Sequence, residues 1–253
     1  MDPRAKLSLR LDRAIEHLET LRDEIIGSDK PDTLSLIGDK EPETRRKVIR
    51  LHVVAEPPPR LGLLAGEISY QLRSTLNNLV ASLIVANGHT VTFERTFPIV
   101  RDPGQWTPDN IEKWLGGLIG DQVAIVREYQ PFLSDDPDLH PLRGLARLTN
   151  LDKHETIPPS FVLMGRARIQ VFAPDDSVTV SEFEWAAPPF AKPLHEGAIL
   201  CSFLTSPDPD RSVQVKWDAQ LPIGFGEPVA ATITDLGRMI ELVRTIIARF
   251  ETA

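Results

Sequence analysis

The chain has 253 residues, of which 42% are hydrophobic and 25% are charged. That proportion of apolar residues excludes a disordered chain and suffices for one large core or two small ones. The net charge of −8 argues against a protein that coats nucleic acid by bulk attraction, although residues 139–169 hold five Lys or Arg against two Asp or Glu.

In chain order, the first predicted element is a helix over residues 3–27, where apolar residues recur every three or four positions. Residues 45–55 are rich in Val and Ile and predict a strand. A long helix follows at 60–87, and the alternating residues 89–100 predict another strand. Three further helices are expected at 109–118, 122–129 and 139–154.

From residue 160 the hydrophobic period changes to two, which predicts strands at 161–173, 177–185, 197–205 and 212–221. Strands this close usually pair in sequence, so an antiparallel meander is expected within residues 158–228. Its packed faces should include Val162, Val171, Phe183, Phe203 and Val215. A closing helix is predicted at 232–252.

These elements predict an α+β fold in which long helices pack on one face of a mostly antiparallel sheet. No linker is long or polar enough to mark a boundary, so residues 1–253 are expected to form a single domain. Within it, residues 1–157 are rich in helix and residues 158–228 are rich in strand, and the helix at 232–252 closes the chain.

Compartment and assembly follow from what the sequence contains. Cys201 is the only cysteine, and no apolar run approaches the roughly 18 residues that span a bilayer. The start of the chain has no signal-peptide core. A soluble, cytoplasmic protein without a membrane partner is therefore expected. The near-heptad spacing of the first and last helices permits a monomer or a homodimer.

The helix at 139–154 carries a narrow polar stripe. Its members are spaced four, three and four residues apart and fall within about 60° of arc. They are Arg143, Arg147, Asn150 and His154. Such a stripe is either the solvated side of a covered helix or one wall of a cleft.

A second polar stripe follows the helix at 60–87 and includes Tyr70, Arg73, Asn77 and Asn78. Adjacent asparagines have poor helix propensity, so a compensating hydrogen-bonded contact is expected. An ordinary amphipathic helix explains this stripe as well. If the two stripes face each other, Arg73 and Asn77 should lie near Asn150 and His154, because buried polar groups need partners.

Other chemical signals are few. The six histidines lack metal-ligand spacing, and no glycine-rich phosphate loop or nucleophile elbow is present. No cofactor or metal is therefore expected. The partner would be an unknown small molecule or another protein.

Four segments of the chain resemble, in the same order, a family of uncharacterised bacterial proteins. They are Leu72–Leu79 (LRSTLNNL), Phe97–Ile99 (FPI), Tyr129–Phe132 (YQPF) and Leu148–His154 (LTNLDKH). The family has LRSALDHL, FPI, LQPY and NIDKH at these places. Asn77 and Asn78 stand where the family has Asp and His, so the resemblance implies a member without acid–base or metal chemistry at that pair.

Arg147 and His154 are also similar to the Arg-x6-His form of the HEPN ribonuclease motif. In that family an arginine and a histidine from two subunits cleave RNA without metal. Three hypotheses follow: a binding protein whose ligand enters the cleft, a ribonuclease with Arg147 and His154 as catalytic residues, and a metal-dependent helical hydrolase. The last offers only His154 and Glu67 as ligands and ranks lowest. Of the other two, binding in a polar cleft between the helices at 60–87 and 139–154 is favoured. RNA is a partner only under the second hypothesis.

Overall fold

The computed structural model describes residues 3–28, 34–162, 168–172, 179–185, 193–206, 214–218 and 222–251. Within them the chain has an α+β fold, as predicted, with antiparallel strand pairs. Two compact units are built from interleaved segments. The helical unit comprises residues 1–24, 59–158 and 230–253, and the strand unit comprises 25–58 and 159–229. The single-domain organisation stays a prediction.

The predicted helices are confirmed, with their ends displaced by a few residues. They are α1 Pro3–Ser28, α2 Pro59–Ala86, α3 Pro108–Leu115, α4 Gly120–Glu128, α5 Pro141–Asp152 and α6 Ile233–Glu251. Proline opens several of them because its missing N–H would be unsatisfied in a first helical turn in any case. No helix of the described residues is both long and apolar enough to cross a membrane.

The core of the helical unit lies where α2, α5 and α6 pack together. Their apolar faces supply fully buried side chains such as Leu72, Leu145 and Val243. Gly144 of α5 permits a close approach to α6, because a Cβ atom there would lie 2.6 Å from Cε of Met239. Burying a Leu or Val side chain contributes about 1.5–3 kcal/mol, so this seam is a major source of stability.

The strand unit contains a four-stranded sheet of order β1-β2-β6-β5 and two further pairs, β3 with β8 and β4 with β7. The strands are β1 Leu34–Lys40, β2 Lys47–Val53, β3 Pro159–Phe161, β4 Arg168–Phe172, β5 Thr179–Trp185, β6 Ile199–Ser206, β7 Gln214–Asp218 and β8 Ile223–Phe225. A short β9, Ala231–Thr232, precedes α6 in the helical unit.

The strand order within residues 158–228 differs from the predicted meander. The pairs are nested: β5 pairs with β6, β4 with β7 and β3 with β8. Hydrophobic alternation shows which residues form strands but carries no information about their neighbours. The sheet is extended by β2 from a distant part of the chain, and β1 was not predicted.

Residues 89–100 form no strand, so that prediction was wrong. Burial does not alternate along this segment, because residues 89–94 are exposed whereas Phe97, Pro98 and Val100 are buried. The backbone N–H groups of Phe97 and Val100 bond to side chains instead of a neighbouring strand. The alternation of residue types therefore has no counterpart in the burial of this segment.

The predicted sheet residues have mixed outcomes. Val162 and Phe203 are buried, whereas Phe183 is 45% exposed and stacks on Phe203 with ring centroids 6.3 Å apart. The side chains of Val171 and Val215 lie outside the described residues. Cys201 is buried in β6, and burial raises the pKa of its thiol to about 11, which removes thiolate reactivity at neutral pH.

Arg46 stabilises an irregular part of the pairing between β5 and β6. The β5–β6 register shifts between Ser181 and Glu184, and Glu182 has a φ of 48°. Arg46 donates to the carbonyl of Glu182 at 2.6 Å and to Oγ of Ser202 at 3.0 Å. It also forms ion pairs with Glu182 at 3.3 Å and Glu184 at 3.4 Å. The Arg46 side chain, 14% exposed, is thus paired with both carboxylates.

Candidate functional site

The two helices that carry the predicted stripes, α2 and α5, pack against each other. One close approach lies between Gly66 and Asp152, since a Cβ atom at Gly66 would overlap the Asp152 carboxylate. Burial is the main cause that raises the pKa of Asp152, and the nearby negative charge of Glu67 raises it further. Glu67 in turn pairs with Nδ1 of His17 at 3.2 Å. This end of the α2 stripe therefore lies where α1, α2 and α5 contact one another.

Further along α2, Asn77 holds the segment that follows the helix. Its Oδ1 accepts hydrogen bonds from Oγ1 of Thr96 at 2.7 Å and from the backbone N–H of Phe97 at 3.2 Å. These bonds are the compensating contact expected for an asparagine in mid-helix. The adjacent residue Asn78 is partly buried.

We call residues 95–100 the strap, and a second side chain holds its far end. Gln130, almost fully buried, accepts from the N–H of Val100 at 2.9 Å and donates to the carbonyl of Val126 at 2.9 Å. The N–H of Phe132 bonds to the Val100 carbonyl at 3.2 Å. Three of the motif segments, LRSTLNNL, FPI and YQPF, thus meet at the strap.

The start of the strap caps a helix. The Arg95 guanidinium donates to the carbonyls of Glu112 and Lys113 at the end of α3, and the Thr96 N–H donates to the Trp114 carbonyl at 3.1 Å. A cation at a helix C-terminus is favoured by the helix dipole and by the unpaired carbonyls there. The strap is therefore fixed to α2, to α3 and to the turn after α4.

Arg73 lies beneath this strap and is the least satisfied charged group of the stripe. Its Nη2 donates to Oγ1 of Thr96 at 3.1 Å, which is a neutral acceptor. Its Nη1 is closed to solvent and has no hydrogen-bond partner in the described part of the chain. Burial lowers the pKa of Arg73 to about 10. A guanidinium with five donors is thus held in a poorly polar environment without a carboxylate from the described residues.

The helix surface around Arg73 is partly open to solvent. The Arg73 residue as a whole is partly exposed. Tyr70, one turn earlier, is 55% exposed, and side chains three residues apart are neighbours on a helix. An exposed aromatic ring therefore lies one turn from Arg73 on the helix surface.

The polar stripe of α5 has a different character. Arg143 lies 3.6 Å from the Asp138 carboxylate. Arg101 also donates two hydrogen bonds to this carboxylate, at 2.8 and 2.7 Å. The Arg101 hydrogen bond is the main cause that lowers the pKa of Asp138. Arg147 is partly buried, whereas Asn150 and His154 are exposed, and His154 lies two residues beyond the end of the helix.

The predicted residues therefore divide into two groups. Arg73 and Asn77 share Thr96, which the sequence analysis did not single out, and their polar contacts run to the strap. Arg143, Arg147, Asn150 and His154 follow α5. Thr96 and Gln130 were missed as positioning residues. Their positions in the sequence could have indicated them, because Thr96 directly precedes the FPI segment and Gln130 lies within YQPF.

The described residues contain no group of three or more His, Cys, Asp or Glu that could hold a metal ion. Comparison with known proteins found no matching family model, curated protein or solved structure. The resemblances to the bacterial family and to HEPN ribonucleases therefore stay predictions, and the geometry around Arg73 is the basis for a functional proposal.

Proposed function

We propose that this protein is a binding protein whose ligand carries an acidic group that docks on Arg73. The observation that carries this proposal is the buried Nη1 atom of Arg73, which has no partner among the described residues. A ligand carboxylate or phosphate would supply the paired acceptors that a guanidinium fork prefers.

The energetics support a ligand as the missing partner. Removing a charge from water costs several kcal/mol, and the described residues offset this at Arg73 with one hydroxyl acceptor. Perturbed pKa values and unsatisfied buried groups concentrate at functional sites. The depressed pKa of Arg73 fits this pattern. An anion would also raise the pKa of Arg73 back towards its ordinary value.

The remaining stripe residues take graded roles in the proposed site. Tyr70 offers an exposed ring that can cover an apolar part of the ligand. Asn77 acts by holding Thr96, and hence by fixing the strap over the guanidinium. Asn78 is a candidate contact on the neighbouring side of α2. The α5 residues Arg143 and Asn150 would contact only a ligand large enough to extend beyond α2.

The test is thermal unfolding in acetate, in inorganic phosphate and in chloride at equal ionic strength. The wild type should be more stable in acetate, in phosphate or in both than in chloride. Each kcal/mol of binding free energy should raise its Tm by about 2–4 °C. Arg73→Met keeps the volume of the side chain but removes the charge, so it should lose this gain.

Arg244→Met is the matched control. Arg244 is exposed on α6 and paired with Glu241, so its loss should leave the anion effect intact. General salt effects on hydrophobic burial would raise the Tm of all three proteins equally. An anion effect of the same size in Arg73→Met and wild type would contradict the proposal, as would the absence of any effect in the wild type.

A further inference from the structure

An exposed apolar surface lies at the end of the helical unit where α2 finishes. It comprises Val85, Val91, Phe93 and Ile119, which are 61, 37, 97 and 56% exposed. We call these four residues the apolar rim. Single exposed apolar residues are ordinary, but a cluster that includes a fully exposed phenylalanine marks an interaction surface.

Hydrogen bonds of the Asn87 and Gln122 side chains bring the segments of the apolar rim together. The Asn87 amide donates to the Gly117 carbonyl at 2.9 Å and to Oε1 of Gln122 at 2.8 Å, and the N–H of Ile119 donates to the same oxygen at 3.2 Å. A Cβ atom at Gly117 would lie 3.2 Å from both His89 and Ile84. The end of α2, the segment after it and the α3–α4 loop therefore form one surface.

Phe93 is presented on a braced turn. The Arg95 N–H bonds to the Thr92 carbonyl at 3.1 Å and closes the turn around Phe93. The Arg95 side chain anchors the turn by donating to the last carbonyls of α3. Because the turn is already fixed, little conformational entropy remains to be lost when Phe93 is buried by a partner.

The charges beside the apolar rim are mostly negative. Glu94 is 44% exposed and Glu112 is 75% exposed, and Asp121 in the first turn of α4 is exposed as well. The opposing cations are Lys113, which is 54% exposed and 3.8 Å from Glu94, and Arg95, which is only 17% exposed and turned towards α3. More acidic than basic side chains are therefore exposed beside the apolar rim.

We propose that the apolar rim docks a basic amphipathic helix of a partner protein. An apolar helix face would cover Phe93 and its neighbours, and Lys or Arg flanking that face would meet Glu94, Glu112 and Asp121. This proposal does not rest on ligand binding at Arg73, so either proposal can fail without the other.

The test uses a fluorescent Leu/Lys amphipathic peptide of about 18 residues, long enough for five helical turns, and a matched Leu/Glu peptide. The Lys peptide should bind the wild-type protein, and the Glu peptide should not. Phe93→Ser should weaken binding by about tenfold or more, as expected for a central anchor. Asp121→Asn and added salt should weaken it by smaller factors.

Leu139→Ser is the matched control, because Leu139 is 81% exposed in the helical unit but lies outside the apolar rim. It should bind the Lys peptide like the wild type. Absence of binding, equal binding of both peptides or equal loss in both serine variants would overturn the proposal. A wild-type dimer that Phe93→Ser dissociates would identify a second copy as the occupant instead. Vesicle binding that depends on Phe93 would identify a lipid surface.

Discussion

Two mostly buried arginines, one in each unit, show how a structural cation differs from a candidate site. Arg46 in the strand unit has two carboxylates, a hydroxyl and two carbonyls around its guanidinium. Arg73 in the helical unit has one hydroxyl and a donor without a partner in the described residues. Burial alone therefore does not indicate function. The useful signal is a buried charge that its own fold leaves incompletely paired.

Arg46→Met should have the largest effect on stability. The variant loses the hydrogen bonds and ion pairs that fasten the β5 irregularity, so the free energy of unfolding should fall by about 2–3 kcal/mol. Denaturant unfolding measures this loss. Arg50→Met is the control, because Arg50 makes a longer surface pair of 3.6 Å with Asp39 and should change stability by less than about 1 kcal/mol. Equal losses of unfolding free energy in Arg46→Met and Arg50→Met would contradict the structural role assigned to Arg46.

Arg73→Met should act in the opposite direction. Removing a buried, poorly paired charge should raise the free energy of unfolding at neutral pH by about 1–3 kcal/mol when no ligand is present. The folded pKa of about 10 lies below the ordinary value of an arginine, so folding disfavours the charged form. This cost is fully present below pH 10 and declines as the pH rises above it. A loss of stability as large as that of Arg46→Met would place Arg73 among structural arginines.

Asn77→Ala sharpens the comparison by loosening the strap above Arg73. The Thr96 hydroxyl and the Phe97 N–H lose their shared acceptor, so stability should fall by about 1–2 kcal/mol. Asn78→Ala, at the adjacent position, should change stability by no more than about 0.5 kcal/mol, because alanine is the better helix former. Equal effects of the two substitutions would contradict the assignment of Asn77 as the residue that holds the strap.

His154→Ala should have the smallest effect. A buried or capping histidine would contribute about 1–3 kcal/mol, but His154 is exposed, so its loss should stay within about 0.5 kcal/mol. We expect no RNA cleavage by wild type or variant. If the wild type cleaves RNA and the rate falls by about 10²–10⁴ in His154→Ala, with a parallel loss in Arg147→Ala, the ribonuclease hypothesis would replace the binding proposal.

The sequence determined the helices, most of the strands and the residues of the α2 stripe, because these depend on local hydrophobic periodicity. It also indicated that an asparagine in mid-helix needs a partner, and Asn77 has one. The tertiary structure alone decided which partner this is. Thr96 lies 19 residues from Asn77, and no periodic pattern connects them. The same holds for the nested strand pairs and for the buried position of Arg73. Pairing and burial depend on which distant segments come together, and that is a property of the whole fold.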